Sequence, residues 1–136
     1  MTFPDGVAVL ALGPGGEDVA RRLVAGLPGA RLHGFAPRVA GADVAFDDTM
    51  AHVAGLFAAG IPVVGICAAG ILIRAVAPHL ADKFSESAVV AVAEDGSAAV
   101  PLIGGHHGAN ALARACAQLL GGRAAVTTAG DARFGV

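Results

Sequence analysis

The 136-residue sequence contains no tryptophan, no tyrosine, one lysine (Lys83) and two cysteines, and only 15% of its residues are charged. Without broad aromatic rings, a flat ligand has to be packed by aliphatic groups, backbone and six phenylalanines, so stacking platforms are scarce. Nine basic and eleven acidic side chains give a net charge of -2 with no basic stripe, which argues against nucleic acid as a partner. Cys67 and Cys116 form no CxxC pair, and they read as small buried hydrophobes in a reduced compartment. His33, His52 and His79 fall in separate elements, so no zinc pattern emerges and no metal or cofactor is expected. The opening MTFPDG has neither a basic nor an apolar leader segment, and the expected location is the cytoplasm.

What is present is apolar. Hydrophobic residues make up 55% of the chain and mean hydropathy is +0.68, enough to bury a core, and the length suits one domain over residues 1–136. Residues 53–73 form a run of 21 uncharged residues, long enough on paper to span a bilayer. Gly55, Gly60, Gly65 and Gly70 interrupt it, and Pro62 separates two shorter patterns, so a helix end, a buried strand and a helix start fit better than a membrane span.

Along the chain, residues 6–12 read as a strand buried on both faces, closed by GPGG. Val19, Leu23 and Leu27 then recur at a spacing of four within a helix over residues 17–27. Residues 30–35 make a second strand, followed by a Pro- and Gly-bearing stretch to Gly41. A helix over 47–59 is capped by Asp47 or Asp48 and stopped by Gly60 and Pro62, with a buried strand over 61–67 after it. Ile73, Val76 and Leu80 share the face of a short helix that Pro78 ends or kinks. Strands over 88–93 and 98–103 flank an Asp95-Gly96 turn, the preferred chemistry of a tight hairpin. A helix carrying Leu112, Cys116 and Leu119 stops at Gly121-Gly122, and a last strand covers 124–127. Alternating strands and helices with one β-hairpin give an α/β fold, a three-layer α/β/α sandwich around a mixed, mostly parallel sheet.

In open α/β sheets ligands bind where the carboxyl ends of strands meet loops and helix starts, which directs attention to three turns. GPGG could hold a phosphate on its amides, but it lacks a full GxGxxG and a P-loop lysine, and a plain turn is the more economical reading. The turn 67–70 ends at Gly70 and leads to Arg74. That arginine either packs its stem and wets its head, or clamps a carboxylate on the same rim as the last loop. GGHHGAN, residues 104–110, is the richest segment: Gly104 and Gly105 admit close approach of a ligand, and the amides of Gly108 and Ala109 open a helix. His106 and His107 then sit at the positive end of that helix, where a neutral imidazole able to act as a general base is favoured. The alternative is that they merely cap the turn or face water. Asn110 either bonds the helix start or orients a substrate amide or carboxylate. Thr127, Thr128 and Asp131 either turn the chain or present polar groups to the same rim, and Lys83 by itself reads as a solvated loop residue.

AAGILIRAVAP, then DK, a hairpin, PLIGGHHGANALA and TTAGD stand in an order and spacing that resemble the amino-terminal domain of the cobalt-precorrin-5A hydrolase (CbiG) family of cobalamin biosynthesis. The resemblance is close over residues 68–131 and holds in outline elsewhere. Two departures stand out: Glu86-Ser87 replaces an Asp-Pro pair, and family members continue into further domains, so the chain reads as an excerpt. Its closing ARFGV is similar to versions joined to a precorrin-3B methyltransferase.

The resemblance implies opening of the ring A δ-lactone of a tetrapyrrole, with loss of two carbons as acetaldehyde. By motif position it assigns His106 or His107 to water activation, Gly108 and Ala109 to the oxyanion, and Arg74 or Lys83 to peripheral carboxylates. Gly70, Gly104, Gly105, Asn110, Thr127, Thr128 and Asp131 complete the substrate-binding set. Implied partners are the tetrapyrrole (cobalt-precorrin) substrate and other cobalamin-pathway domains, with no nucleic acid and no membrane; a homo-oligomer is compatible. Two competing readings are a non-catalytic corrinoid-binding accessory domain and a flavodoxin-like nucleotide or phosphate module using GPGG.

Overall fold

The computed structural model describes residues 6–81, 85–105 and 108–128. Seven strands form one sheet: β1 (Ala8–Ala11), β2 (Arg31–Phe35), β3 (Val44–Phe46), β4 (Val63–Ile66), β5 (Val89–Val92), β6 (Ala98–Ile103) and β7 (Arg123–Ala124). Their order across the sheet is β3-β2-β1-β4-β5-β6-β7. The first five strands run parallel, β6 turns back antiparallel to β5, and β7 follows β6 in its own direction. The mixed, mostly parallel sheet and its single hairpin are therefore those expected from the sequence.

The central strands β1, β4 and β5 are buried along their whole length, as continuous Val- and Ala-rich runs should be when helices cover both faces. Helices α1 (Pro14–Gly26) and α4 (Ala109–Leu120) cover one face, where Leu23, Leu112 and Cys116 pack on Val9, Val64 and Val90. Helices α2 (Thr49–Ala58) and α3 (Ala69–Val76) cover the other, where Val53, Phe57 and Leu72 pack on Leu10, Val63 and Val89. Because β6 and β7 point the opposite way, a crossover of the usual hand between them sets α4 on the face opposite α2 and α3.

The 21-residue apolar run divides into the end of α2, β4 and α3, and no helix of the described residues is long and apolar enough to cross a membrane. Asp48 caps α2 by accepting from the Ala51 amide, and α3 ends in a 3-10 turn over Ala77–His79 where Pro78 removes a donor. Three expectations need correction. α1 begins at Pro14, three residues before the expected Glu17, because proline suits the first helical position, so most of GPGG is helix and not turn. Strand β3 is not anticipated by the sequence pattern; its three residues carry too little period, and it forms by pairing with β2. The last strand is Arg123–Ala124 instead of 124–127, since pairing with β6 stops there apart from one further bond from the Ala125 amide to the Ala99 carbonyl.

Candidate functional site

The antiparallel return of β6 decides where the candidate residues lie. The carboxyl ends of β1 to β5 form an upper rim, but β6 and β7 finish at the lower rim, beside the amino ends of the other strands. In the β5–β6 register, Ile103 at the end of β6 is opposite Val89 at the start of β5. The GGHHGAN segment therefore opens from the lower rim. The turn 67–70 and α3 begin at the upper rim, and Arg74 folds back toward its own helix start, its Nη1 lying 3.1 Å from where a side chain on Gly70 would begin. The expectation that Arg74 faces the same rim as the last loop is corrected: Gly70 and Arg74 are at one end of the sheet, and Gly104, Gly105 and Gly108 to Asn110 at the other.

At the lower rim Gly104 adopts φ +82, and any Cβ there would approach the Ser87 carbonyl oxygen to 2.6 Å. Glycine is thus demanded both by the backbone angle and by the adjoining strand entry. Gly108, with φ 96, starts α4 without a side-chain cap. The Ala109 amide donates to the Gly104 carbonyl at 3.1 Å, which closes the loop on itself. This corrects one implied role, because an amide engaged in that bond is not available to an oxyanion; the Gly108 amide makes no hydrogen bond with a described residue.

Asn110, 8% exposed, sends Nδ2 to Thr128 Oγ1 at 3.0 Å. Gly105 lies over this pair: a Cβ on it would be 3.6 Å from Thr128 Oγ1 and 3.7 Å from Asn110 Oδ1. Gly104, Gly105, Gly108, Ala109, Asn110 and Thr128 are thus gathered at one rim, and Thr127 is exposed beside them. His106, His107, Lys83 and Asp131 lie outside the described residues. Nothing local marks Ser87, yet its carbonyl fixes Gly104, and its hydroxyl is buried with no partner among the described residues. A cleft of about 300 Å³ with a mixed lining borders the same rim, bounded by Phe57, Ala58 and Ala81 on its apolar side and by His79, Ser85, Glu86 and Ser87 on its polar side.

Two further groupings lie away from this rim. His33 Nδ1 and His52 Nε2 are 2.8 Å apart, joining β2 to α2, and the His52 ring stacks on Phe46 with centroids 4.5 Å apart. Burial, then the neighbouring His52 and Arg31, push the His33 pKa down to about 4 against a smaller opposing pull from Asp43, and burial lowers His52. Among the described residues no group of three His, Cys, Asp or Glu side chains could hold a metal ion. Cys67 and Cys116 are both free thiols; burial pushes them up to about 11 and about 12, with Glu94 adding to the effect at Cys67.

Comparison with known proteins adds three findings. The family described as Cobalamin synthesis G N-terminal matches residues 51–131. The chain is 39% identical over 137 aligned positions to the cobalt-precorrin-5A hydrolase of Salmonella typhimurium, an alignment covering 94% of this chain and 37% of that protein. A cobalamin biosynthesis protein G homolog of known structure from Sulfolobus solfataricus superposes with a TM-score of 0.65 at 19% identity, over 90% of this chain and 36% of the other, a likeness of fold. The chain spans little more than a third of the length of either relative.

Proposed function

The chain belongs to the Cobalamin synthesis G N-terminal family, and from that premise we propose that its lower rim serves the hydrolysis of a cobalt-precorrin, opening the ring A δ-lactone with loss of acetaldehyde. The observation that carries the reading is the Asn110–Thr128 hydrogen bond, which joins a residue of GGHHGAN to one of TTAGD, separate motifs in the sequence, at a rim that also borders a cleft of mixed polar and apolar lining. Lactone opening needs a base to take a proton from water, donors for the carbonyl oxygen as it gains charge, and groups that hold the substrate's acidic arms. His106 or His107, just before the positive end of the α4 dipole, is the base, kept neutral by that field. The Gly108 amide faces the developing oxyanion. Asn110, oriented by Thr128, steers a substrate amide or carboxylate, with Lys83 of the DK pair ahead of the hairpin and Asp131 at the end of TTAGD completing the substrate-binding set. Gly70 and Arg74 take no part, being at the other rim. The reaction belongs to the cytoplasm, where both thiols stay reduced.

Incubation of the chain with cobalt-precorrin-5A, followed by measurement of acetaldehyde, tests the reading. Release that disappears in either His106→Ala or His107→Ala supports it. Tight binding of the substrate without any acetaldehyde makes the chain a corrinoid-binding accessory domain instead.

A further inference from the structure

A second cleft, of about 310 Å³, opens at the upper rim between the carboxyl ends of β1 and β4. There the chain, having laid β2 and β3 on one side of β1, crosses to lay β4 and β5 on the other, and the diverging loops leave a crevice. Leu12, Ile66 and Ile71 give it an apolar lining, and Arg38, Cys67 and Glu94 its polar groups. The Arg38 guanidinium lies against Gly13, where a Cβ would sit 3.2 Å from its Cζ. Glu94 reaches from beyond β5 over Gly15, where any side chain would collide with its carboxylate. Neither the Arg38 nor the Glu94 side chain forms an ion pair or hydrogen bond with a described residue, and they do not pair with one another. Open helix starts are common; this one is distinguished by two unmated opposite charges held over it in a crevice of ligand size.

The charge balance selects the ligand. Arg38 and Glu94 cancel, and the Cys67 thiol, held well above neutrality by burial and by Glu94, adds nothing at pH 7. What is left is the positive end of α1 and that of α3, neither of which has a side-chain cap. Each contributes roughly half an elementary charge, so the cleft matches about one negative charge. A phosphate dianion would bring a second charge against the Glu94 carboxylate, whereas a carboxylate would not.

We infer that the upper-rim cleft binds a compact monocarboxylate between Arg38 and the first turns of α1 and α3, with Glu94 as the residue that excludes phosphate. This holds whether or not the lower rim catalyses. Titration of ¹⁵N-labelled chain at neutral pH with propionate and, separately, inorganic phosphate tests it. Propionate should shift the amides of Gly13, Gly15 and Ala69 saturably, and phosphate should bind several-fold more weakly. Arg38→Gln should weaken propionate at least about tenfold, and Glu94→Gln should strengthen phosphate at least as much. Because both side chains are exposed, the variants should keep the wild-type spectrum away from the cleft. Shifts centred on residues 104–110, equal binding of phosphate by the wild type, or indifference to Arg38→Gln would each overturn the inference.

Discussion

Asn110 donates from Nδ2 to Thr128 Oγ1 across 3.0 Å, tying the first turn of α4 to the chain just beyond β7. Because Asn110 is buried, its loss leaves Thr128 a solvent partner but opens a gap beneath Gly105. Asn110→Ala is expected to cost about 1 to 2 kcal/mol in urea unfolding, and to abolish acetaldehyde release if the proposed chemistry holds. Thr128→Val should lower release with a smaller stability loss, and Thr128→Ser, which keeps the acceptor, should restore it. Equal activity in Thr128→Val and wild type would show that the bond does not orient the substrate.

Glycines 104 and 121 provide a paired test. Both have positive φ, +82 and +71, but only at Gly104 would an added Cβ meet backbone, the Ser87 carbonyl oxygen at 2.6 Å; at Gly121 it would find nothing within 4 Å. Gly121→Ala should therefore show the conformational cost alone, about 1 to 2 kcal/mol. Gly104→Ala should exceed it clearly, and should move the amide signals of Ser87 and Ala88. Equal losses in chemical denaturation would contradict this geometry.

The His33–His52 contact predicts an acid-side loss of stability. His33 is lowered to about 4 in the folded chain, whereas an unfolded histidine takes up its proton near pH ~6.5. As pH falls below about 6.5 the unfolded state binds a proton that the folded state refuses, so stability declines until about pH 4 and then levels. At about 1.4 kcal/mol per unit, and allowing for partial hydration, the loss is on the order of 2 to 3 kcal/mol. Urea midpoints measured from neutral pH down to about pH 4 should fall in wild type and fall less in a His33→Gln variant.

The thiols should be inert in the native state. With Cys116 fully buried and pushed up to about 12, and Cys67 half-buried and pushed up to about 11, thiolate is scarce near neutral pH. Iodoacetamide should label Cys67 slowly, leave Cys116 unmodified, and label both at once in urea. Rapid native labelling of Cys116 would mean that α4 does not stay docked on the sheet.

How much of the fold and the site is legible in the sequence varies with range. The hairpin is readable because its determinants are adjacent: Gly96 takes φ +76, the Ser97 amide donates to Asp95 Oδ1, and the Ala93 amide meets the Ala98 carbonyl. Helices α2 and α4 are readable from caps, glycine stops and the spacing of Val53, Leu56, Leu112 and Cys116. Strand β3 is not, because three residues cannot display a period and only β2 makes them a strand.

The amino-acid sequence by itself determined which segments are strands buried on both faces and where the tight turn falls, since each depends on neighbours in the chain; that Gly104 admits no side chain was decided by the Ser87 carbonyl packed against it. Only the tertiary structure decided which candidate residues meet. The hairpin reverses β6, and that single reversal sends Gly104, Gly105 and the start of α4 to the rim opposite Gly70 and Arg74. The same arrangement places Arg38 and Glu94 over the start of α1, and His33 beside His52. Strand order and direction fix these proximities, and they are set by packing summed over the whole sheet, with no trace in local spacing.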